Sequence, residues 1–255
     1  MSFPVIRIEN LSKRYRLGCI DHRSFYRDVK ERLVRWMGRN DSNREDWFMA
    51  LDDVSFDIHE GESVALIGRN GAGKTTLANI ISEIIYPTSG TVKIKGKIST
   101  LGSGVGFSGE LTARDNIFIN GAILGMRRKE IAQRFDEIID FAEIDRFVDT
   151  PIKHYSAGMK SRLTFSAAVH FIADIIIIDE GLSAGDRFFS QKAEEKINSL
   201  LRDNGKTIIM VSHSEKQLQK ICRRGILLEQ GKIVGDDPIV QSLETYKNTI
   251  VKKAA

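Results

Sequence analysis

Apolar and polar residues follow two different periods along this chain, and the two periods predict strands and helices in succession. Residues 6–11 and 54–58 alternate between apolar and polar side chains, as in a strand with one buried face. Residues 63–67 and 175–178 are nearly continuous apolar runs, as in parallel strands covered on both faces. Strands that alternate with helices predict an α/β protein with a mainly parallel sheet.

Residues 111–171 have a different character and predict a block of helices. The clearest signal is an apolar stripe at helical spacing around residues 131–142, with charged residues outside it. The pattern also predicts helices at 75–85, 191–201 and 215–222, strands at 91–94, 97–101 and 207–211, a hairpin at Gln230 and Gly231, and a final helix. A length of 255 residues suits one domain over 1–255 with an inserted helical subdomain of about 108–172.

Residues 18–48 interrupt the strand pattern, and the basic excess of the chain lies between residues 13 and 44. Between residues 13 and 44 the chain has ten Lys and Arg residues but only four Asp and Glu residues, whereas the net charge of the whole chain is +4. Apolar residues at helical spacing predict a basic amphipathic helix at 23–37. Two interpretations stay open: this helix meets acidic lipid head groups or a pyrophosphate-linked lipid, or it packs on its own domain with a solvated charged face. Such local charge argues against a nucleic-acid surface.

Composition indicates the cellular compartment in which the protein is expected. No stretch approaches the roughly 20 apolar residues of a membrane span, and the first residues do not have the pattern of a secretion signal. Cys19 and Cys222 lie far apart without metal-ligand spacing, so we expect reduced bystander cysteines. These features together predict a cytoplasmic protein.

Residues 68–75 read Gly-Arg-Asn-Gly-Ala-Gly-Lys-Thr and match the phosphate-binding loop at each fixed position. The glycines let backbone N–H groups turn toward phosphate oxygens, and the start of the next helix adds partial positive charge. We expect Lys74 to reach the β- and γ-phosphates and Thr75 to give a hydroxyl to Mg²⁺. The predicted nucleotide contacts of this loop and the residue after it are Gly68, Arg69, Asn70, Gly71, Ala72, Gly73, Lys74, Thr75 and Thr76.

A second anchor for the nucleotide follows the apolar run at 175–178. Asp179 is predicted to hold Mg²⁺, and Glu180 to align and activate the attacking water. An apolar strand that ends in two acids is common on its own. About a hundred residues after a phosphate-binding loop, it becomes specific for an ATPase or GTPase.

Three further segments make the chain resemble the ABC transporter ATPases over nearly all of its length. Residues 154–160 read His-Tyr-Ser-Ala-Gly-Met-Lys and are similar to the family's signature loop, with Ser156 and Gly158 retained. Asp186 stands where the family has its D-loop. His213, at the end of a strand, matches the family's switch histidine at the γ-phosphate. The resemblance implies that Lys74, Glu180 and His213 are catalytic.

The resemblance also implies an architecture and partners. The fold would be a RecA-like P-loop NTPase core, with an antiparallel β edge and an inserted helical subdomain. Ser156, Gly158 and Asp186 would serve the ATP of a second copy in a head-to-tail homodimer. A polytopic membrane permease would hold the dimer at the cytoplasmic face of the inner or plasma membrane.

Two positions depart from the family pattern. The glutamine of the Q-loop is expected near Ser103, yet no glutamine precedes Gln133, which leaves the usual metal contact of that loop in doubt. Tyr15 matches the aromatic residue that stacks on adenine, but the insertion separates it from the phosphate-binding loop. Trp47 and Phe48 remain alternatives.

The finer resemblance is to the branch that exports O-antigen, capsule and teichoic acid. It depends on the insertion, the glycine-rich run at 101–107, Tyr-Ser-Ala-Gly-Met at the signature loop and Asn-Gly-Ala-Ile-Leu-Gly at 120–125. A lipid-linked glycan would then be the indirect partner. We expect no C-terminal carbohydrate-binding domain. The alternatives are the ATPase of another exporter and a soluble ABC ATPase acting on nucleic acid or ribosomes.

Overall fold

The computed structural model describes residues 4–16, 47–101, 106–179, 187–203, 205–212 and 214–254. The elements in chain order are β1 (Ile6–Arg16), β2 (Trp47–Ile58), β3 (Ser63–Ile67), α1 (Lys74–Ile81), β4 (Ser89–Ile94), β5 (Ile98–Leu101), α2 (Ala113–Ile123), α3 (Arg128–Ala142), α4 (Ala157–His170), β6 (Ile175–Asp179), α5 (Arg187–Asp203), β7 (Thr207–Val211), α6 (Glu215–Ile221), β8 (Arg224–Glu229), β9 (Lys232–Pro238) and α7 (Ile239–Ala254). The predicted α/β class is confirmed.

Two sheets form the main body of the described residues. The larger has the order β5-β6-β7-β3-β8-β9, in which the first five strands run parallel and β9 runs antiparallel to β8. The smaller sheet, β2-β1-β4, is antiparallel. The central strand β3 is buried at every residue, as its apolar run predicts for a strand covered on both faces.

Three groups of buried side chains form the core. The first lies between the two sheets and includes α1, whereas the second covers the opposite face of the large sheet with residues of α4, α5, α6 and α7. The third belongs to a helical lobe made of α2, α3 and part of α4. The helical lobe therefore has a core of its own, and α4 contributes to the second and the third group.

Several predicted boundaries change in the structure. Strand β1 continues to Arg16 and β2 begins at Trp47, so Trp47 and Phe48 belong to this strand and the prediction that the insertion runs to residue 48 is wrong there. The reason is cross-strand pairing, since Tyr15 opposes Phe48 and Arg16 opposes Trp47. Residues 17–46, with the predicted basic helix, lie outside the described residues.

Helix α1 is shorter than predicted, and the hairpin is as predicted. The helix ends at Ile81 rather than at residue 85, because Glu83 takes a left-handed conformation with φ +57°. Gln230 and Gly231 both have positive φ, at +48° and +79°, as a tight two-residue hairpin requires. Among the described residues, no helix has the length and apolar character needed to cross a membrane.

Candidate nucleotide site

The phosphate-binding loop is packed so closely that two of its glycines, Gly68 and Gly73, cannot carry a side chain. A Cβ on Gly68 would lie 2.4 Å from the carbonyl oxygen of Leu228, and one on Gly73 would lie 2.6 Å from that of Ala50. Both glycines have positive φ, +153° and +105°, which L-residues rarely adopt. Gly71, in contrast, has φ +80° with open space around it. The backbone of β8 and β2 therefore encloses the loop on these sides.

Lys74 is buried at the mouth of this loop. Its Nζ donates hydrogen bonds to the carbonyl oxygens of Gly68 at 2.8 Å and Arg69 at 3.0 Å. A buried ammonium group requires such partners, and a phosphate oxygen would be a stronger, charge-assisted acceptor than a carbonyl. The amine thus lies within the loop that the sequence predicts to bind the β- and γ-phosphates of a nucleotide.

The remaining predicted contacts of this loop lie around its entrance. Arg69, Asn70, Gly71 and Thr75 are exposed, Ala72 is buried, and Gly73 and Thr76 are half-buried. Thr75 stands in the first turn of α1, where unpaired backbone N–H groups and the helix dipole favour an anion. An exposed hydroxyl beside that turn is accessible to a metal ion held by the anion.

Sheet register places Asp179 on the same edge as the phosphate-binding loop. Asp179 of β6 opposes Val211 of β7, and Val211 opposes Leu66 of β3. With about 4.8 Å between neighbouring strands, the Asp179 and Leu66 backbones lie roughly 10 Å apart. The carboxyl ends of parallel strands form the usual ligand-binding edge of an α/β sheet, and the structure places Asp179 at the same edge as the end of β3, from which the phosphate-binding loop starts.

Four predicted positions fall outside the described residues: Ser103, Glu180, Asp186 and His213. The structure does place the strand ends beside two of them, since Asp179 precedes Glu180 and Ser212 precedes His213. The Ser212 hydroxyl donates to the side chain of Gln217 at 3.1 Å and accepts from the backbone N–H of Ser214 at 3.1 Å. The backbone on both sides of position 213 is therefore anchored at the same edge of the sheet.

Residues suited to Mg²⁺ are present at this edge. The Thr75 hydroxyl and the Asp179 carboxylate are hard oxygen donors of the kind that Mg²⁺ prefers, and this ion commonly uses one or two protein ligands together with substrate phosphates. Within the described ranges, no cluster of three or more His, Cys, Asp or Glu forms a complete metal cage. The donor set fits a metal ion that is bound jointly with a nucleotide.

Ser156 lies at the start of α4 in the helical lobe and is exposed. Its hydroxyl accepts a hydrogen bond from the backbone N–H of Met159 at 3.2 Å, which makes it the N-cap of the helix. The preceding Tyr155 is buried and donates to the carbonyl oxygen of Phe147, and burial raises the pKa of its phenol. Gly158 is half-buried in the first turn. The signature loop is thus a capped helix start that faces outward.

A cavity of about 690 Å³ lies on one side of the phosphate-binding loop. Its described lining residues are Arg69, Asn70, Gly71, Ala72, Leu227, Leu228, Glu229, Gln230, Val234, Tyr246 and Thr249. None of these comes from the signature loop. Ser156 is therefore not part of this cavity in its own subunit.

The three aromatic candidates for adenine stacking lie on two faces of the small sheet. Tyr15 and Phe48 oppose each other across β1 and β2 and therefore share one face. Trp47 lies on the other face, where the guanidinium of Arg14 stands 4.6 Å from the centre of its ring. All three side chains are roughly half exposed, so exposure does not distinguish them, but the two faces separate Trp47 from the other two.

Sequence patterns did not reveal that the hairpin between β8 and β9 supports the phosphate-binding loop. The backbone N–H of Gly231 donates to Ala72 at 3.1 Å, and the carbonyl of Gly231 accepts from Asp52 at 2.9 Å. A Cβ on Gly231 would lie 2.8 Å from the carbonyl oxygen of Ala50. The hairpin tip is thus inserted between the phosphate-binding loop and β2. The Gln-Gly pair signalled a turn, but nothing local in the sequence signals what that turn contacts.

Two asparagines of α2 were also not identified as structural anchors. Asn116 is buried, donates to the carbonyls of Ser108 and Thr112 at 3.0 and 2.8 Å, and accepts from the N–H of Ser108 at 2.7 Å. Asn120 donates to the carbonyl of Gly106 at 2.7 Å. Both residues hold the segment that follows the expected Q-loop position. Their spacing of four residues on one helix face was the available signal.

Comparison with known proteins identifies the family of this arrangement. The ABC transporter family matches residues 51–183, which include the phosphate-binding loop, the signature loop and Asp179. A teichoic acids export ATP-binding protein of Staphylococcus haemolyticus is 38% identical over 252 residues, which cover 98% of this chain and 91% of that protein. An O-antigen export system ATP-binding protein of Klebsiella pneumoniae is 43% identical over 204 residues, covering 80% and 82%.

Other relatives are longer than this chain, and solved structures share its fold. The match to a teichoic acids export ATP-binding protein of Lactococcus lactis is 42% identical over 89% of this chain but spans only 47% of that protein. The match to a teichoic acids export ATP-binding protein of Bacillus anthracis spans 43% of that protein. A dimeric ATP-binding cassette in a post-hydrolysis state with ADP and phosphate superposes with a TM-score of 0.74 at 24% identity, covering 92% of this chain and 98% of the other. The predicted P-loop NTPase fold is confirmed.

Proposed function

This chain belongs to the ABC transporter family, and from that premise we propose that it is the ATP-hydrolysing subunit of an exporter of lipid-linked cell-surface polysaccharide. The observation that carries the finer proposal is the likeness to teichoic acid and O-antigen export proteins over most of the chain. The general likeness to solved cassettes supports the fold alone.

ATP is the proposed substrate, and the phosphate-binding loop is its proposed seat. Lys74 exchanges the carbonyls of its own loop for the β- and γ-phosphates. Thr75 and Asp179 hold Mg²⁺, which when bound neutralises charge that develops on the phosphate oxygens. Glu180 directs water in line at the γ-phosphate, and His213 contacts the transferred group. Tyr15 stacks on adenine, with Phe48 as the alternative on the same face.

The reaction centre is proposed to be shared between two copies of the chain. Ser156 and Gly158 begin an exposed helix, whose N-terminus can receive the γ-phosphate of a nucleotide bound to the partner. Asp186 is proposed to act across the same interface. ATP closes the dimer, and product release opens it. Two solved cassettes that share this fold are described as dimeric.

A polytopic membrane permease is the proposed partner that places the dimer at the cytoplasmic face of the membrane. Segments near residues 101–116 would pass the motion of the cassettes to the permease. The predicted basic helix at 23–37 is proposed to meet acidic lipid or the lipid carrier, with packing on its own domain as the alternative. Binding of nucleic acid is not part of this proposal.

The experiment that tests the function measures ATP hydrolysis in the complex with the permease. The permease that co-purifies with this chain from membranes of the source cell is reconstituted in liposomes. We expect a lipid-linked polysaccharide, but not the free glycan, to stimulate ATP hydrolysis and to be transported. Stimulation by an unrelated hydrophobic substrate alone would indicate another exporter, and co-purification with ribosomes would favour the soluble alternative.

A second measurement tests the shared reaction centre. ATP hydrolysis by the isolated chain should rise faster than linearly with protein concentration, because only dimers are active. Glu180→Gln should bind ATP and accumulate as a closed dimer in size-exclusion chromatography. A strictly monomeric chain with full activity would contradict the proposal.

A further inference from the structure

The signature helix α4 is packed into both halves of the molecule. Leu163 and Ala167 belong to the core of the helical lobe, whereas Phe165 and Ala168 belong to the core beneath the large sheet. Because one face of α4 packs on each core, the orientation of this helix depends on how the lobe meets the sheet. Ser156 at the start of α4 moves with it.

Aromatic side chains from three helices meet at this junction. We call Phe141 of α3, Phe165 and His170 of α4, and Phe189 of α5 the junction cluster. The Phe141 ring lies 6.0 Å from that of Phe165 and 5.8 Å from that of Phe189, and the rings of Phe165 and Phe189 are 5.7 Å apart. Edge-on and offset contacts at such distances add about 0.5–1.5 kcal/mol per pair beyond area burial.

Lys192 adds a polar clasp to the junction cluster. Its ammonium group lies 4.5 Å from the centre of the Phe141 ring, donates to the Phe141 carbonyl at 3.1 Å and pairs with the Glu143 carboxylate at 3.1 Å. Glu143 also lies 3.5 Å from the guanidinium of Arg162 on α4. One lysine of α5 thus contacts the end of α3, and through Glu143 it is connected to α4.

The end of α3 is a suitable place for such a cation. Helix α3 ends at Ala142, and Glu143 turns the chain into the left-handed conformation with φ +58°. The last carbonyls of a helix lack internal partners and carry partial negative charge. An ammonium group that donates both to a terminal carbonyl and to the carboxylate of the capping residue fixes the end of the helix relative to α5.

Helix α5 follows the nucleotide site along the chain. It begins at Arg187, eight residues after Asp179 at the end of β6 and one residue after the predicted D-loop position Asp186. Helix α4 begins beside Ser156. The junction cluster and Lys192 therefore connect α5, which follows the proposed metal ligand Asp179 along the chain, to α4, which begins beside Ser156.

We infer that Lys192 is a positioning residue that sets the orientation of Ser156 by clasping the end of α3 to α5. The inference rests on the proposed function, in which Ser156 serves the nucleotide of the partner. A change in Lys192 is therefore expected to affect the nucleotide bound by the other subunit. Misplacement of a reacting group by about 1 Å can cost as much as 100-fold in rate.

Mixed dimers with a single complete site test this inference. One subunit carries Ser156→Arg and keeps its phosphate-binding loop, and the other carries Lys74→Ala and keeps its signature loop. Neither variant alone can form a complete site, so the activity of the mixture reports the mixed dimer. Lys192→Met, which removes the charge but keeps an unbranched side chain, is then introduced into one subunit at a time.

The expected result depends on the subunit that carries the change. In the subunit with the working signature loop, Lys192→Met should lower kcat about three- to tenfold. In the subunit with the working phosphate-binding loop, it should change kcat by no more than about twofold. In both cases the KM for ATP should stay within about twofold, because the contacts of the nucleotide with the loop are unchanged. Lys192→Arg, which retains the donors and the cation, should restore most of the activity.

A matched control uses another ion pair of the same helix. Lys220 of α6 pairs with Glu194 of α5 at 2.8 Å, and Lys220→Met removes that pair without touching α3 or α4. It should leave kcat within about twofold in either subunit.

Each other outcome contradicts a defined part of the argument. Equal losses in both subunits, or a loss with Lys220→Met of the same size, would show general destabilisation and overturn the inference. No loss in either subunit would do the same. An inactive mixture before Lys192 is changed would instead contradict the shared reaction centre of the proposed function.

Discussion

The phosphate-binding loop and the signature loop both lie at the start of a helix, yet the protein holds them in different ways. The phosphate-binding loop is enclosed by the backbone of β2, β8 and the hairpin tip, with a Cβ on Gly68 or Gly73 excluded. The signature loop is exposed and is held by a cap within its own helix. The first loop is therefore enclosed within the described residues, whereas the exposed second loop is open to the partner subunit that we propose.

The largest effect is expected from filling the enclosed loop. Gly68→Ala places a methyl group 2.4 Å from the Leu228 carbonyl, so the loop must deform and ATP binding should be lost. The cost to folding should be about 1–3 kcal/mol or more, as for other overpacked sites. Isothermal titration with ATP and chemical unfolding would measure both effects.

Gly71→Ala is the matched control for that change. A methyl group at Gly71 meets open space, and only the positive φ of +80° is strained. We therefore expect a cost of about 1–2 kcal/mol with ATP binding retained, though weaker. Equal loss of binding in the two variants would mean that the close packing of Gly68 is not what shapes the loop.

The next largest effect should come from charge at the signature loop. Ser156→Asp keeps an N-cap acceptor but places a carboxylate where the partner's γ-phosphate is proposed to lie. Like charges at such a contact cost several kcal/mol, so ATP hydrolysis should fall about 100-fold or more, while the melting temperature stays near that of the native protein.

Ser156→Ala separates the cap from the proposed phosphate contact. It should lower stability by about 0.5–2 kcal/mol and reduce ATP hydrolysis less than Ser156→Asp does. If Ser156→Asp hydrolysed ATP normally, the signature loop would have no role at a phosphate, and the contrast between the two loops would disappear.

A smaller effect is expected at the small sheet, where aromatic residues on two faces compete for adenine. Tyr15→Ala should weaken ATP binding about 5- to 100-fold, since a stacked base contributes about 1–3 kcal/mol. Trp47→Ala on the opposite face should leave the dissociation constant for ATP nearly unchanged. Phe48→Ala tests whether Phe48, which shares a face with Tyr15, stacks on adenine instead. A loss confined to Trp47→Ala would assign adenine to the opposite face.

The smallest expected effect is a pH dependence of the folding stability that comes from His170 in the junction cluster. Burial lowers the pKa of His170, and the hydrogen bond to the Ser166 carbonyl opposes that shift in part. The unfolded chain therefore binds a proton more readily than the folded protein, so this contribution to stability is present above the ordinary pKa of about 6.5 and is lost as the pH falls below it.

His170→Gln removes this titration. We expect its free energy of unfolding, measured with urea between about pH 5 and 8, to fall less toward acid than that of the native protein. Parallel pH profiles for the two proteins would show that His170 does not contribute to the acid sensitivity.

The local chemistry of this protein could be predicted from neighbouring residues in the sequence. The spacing of residues 68–75, Asp179 after an apolar run, and a serine-capped helix at residue 156 could each be identified, because a phosphate loop, a buried parallel strand and an N-cap depend on neighbouring residues. The order of strands and helices followed from periodicity for the same reason. Errors were confined to element ends, such as α1 ending at Ile81 and β2 beginning at Trp47.

Tertiary structure alone decided which distant segments meet. It set the register that aligns Asp179 with Leu66 through Val211, inserted Gly231 between the phosphate-binding loop and β2, and brought Lys192 to the end of α3. These contacts join residues far apart in the chain. They arise from the joint packing of whole strands and helices on a shared core, which no local period or spacing encodes.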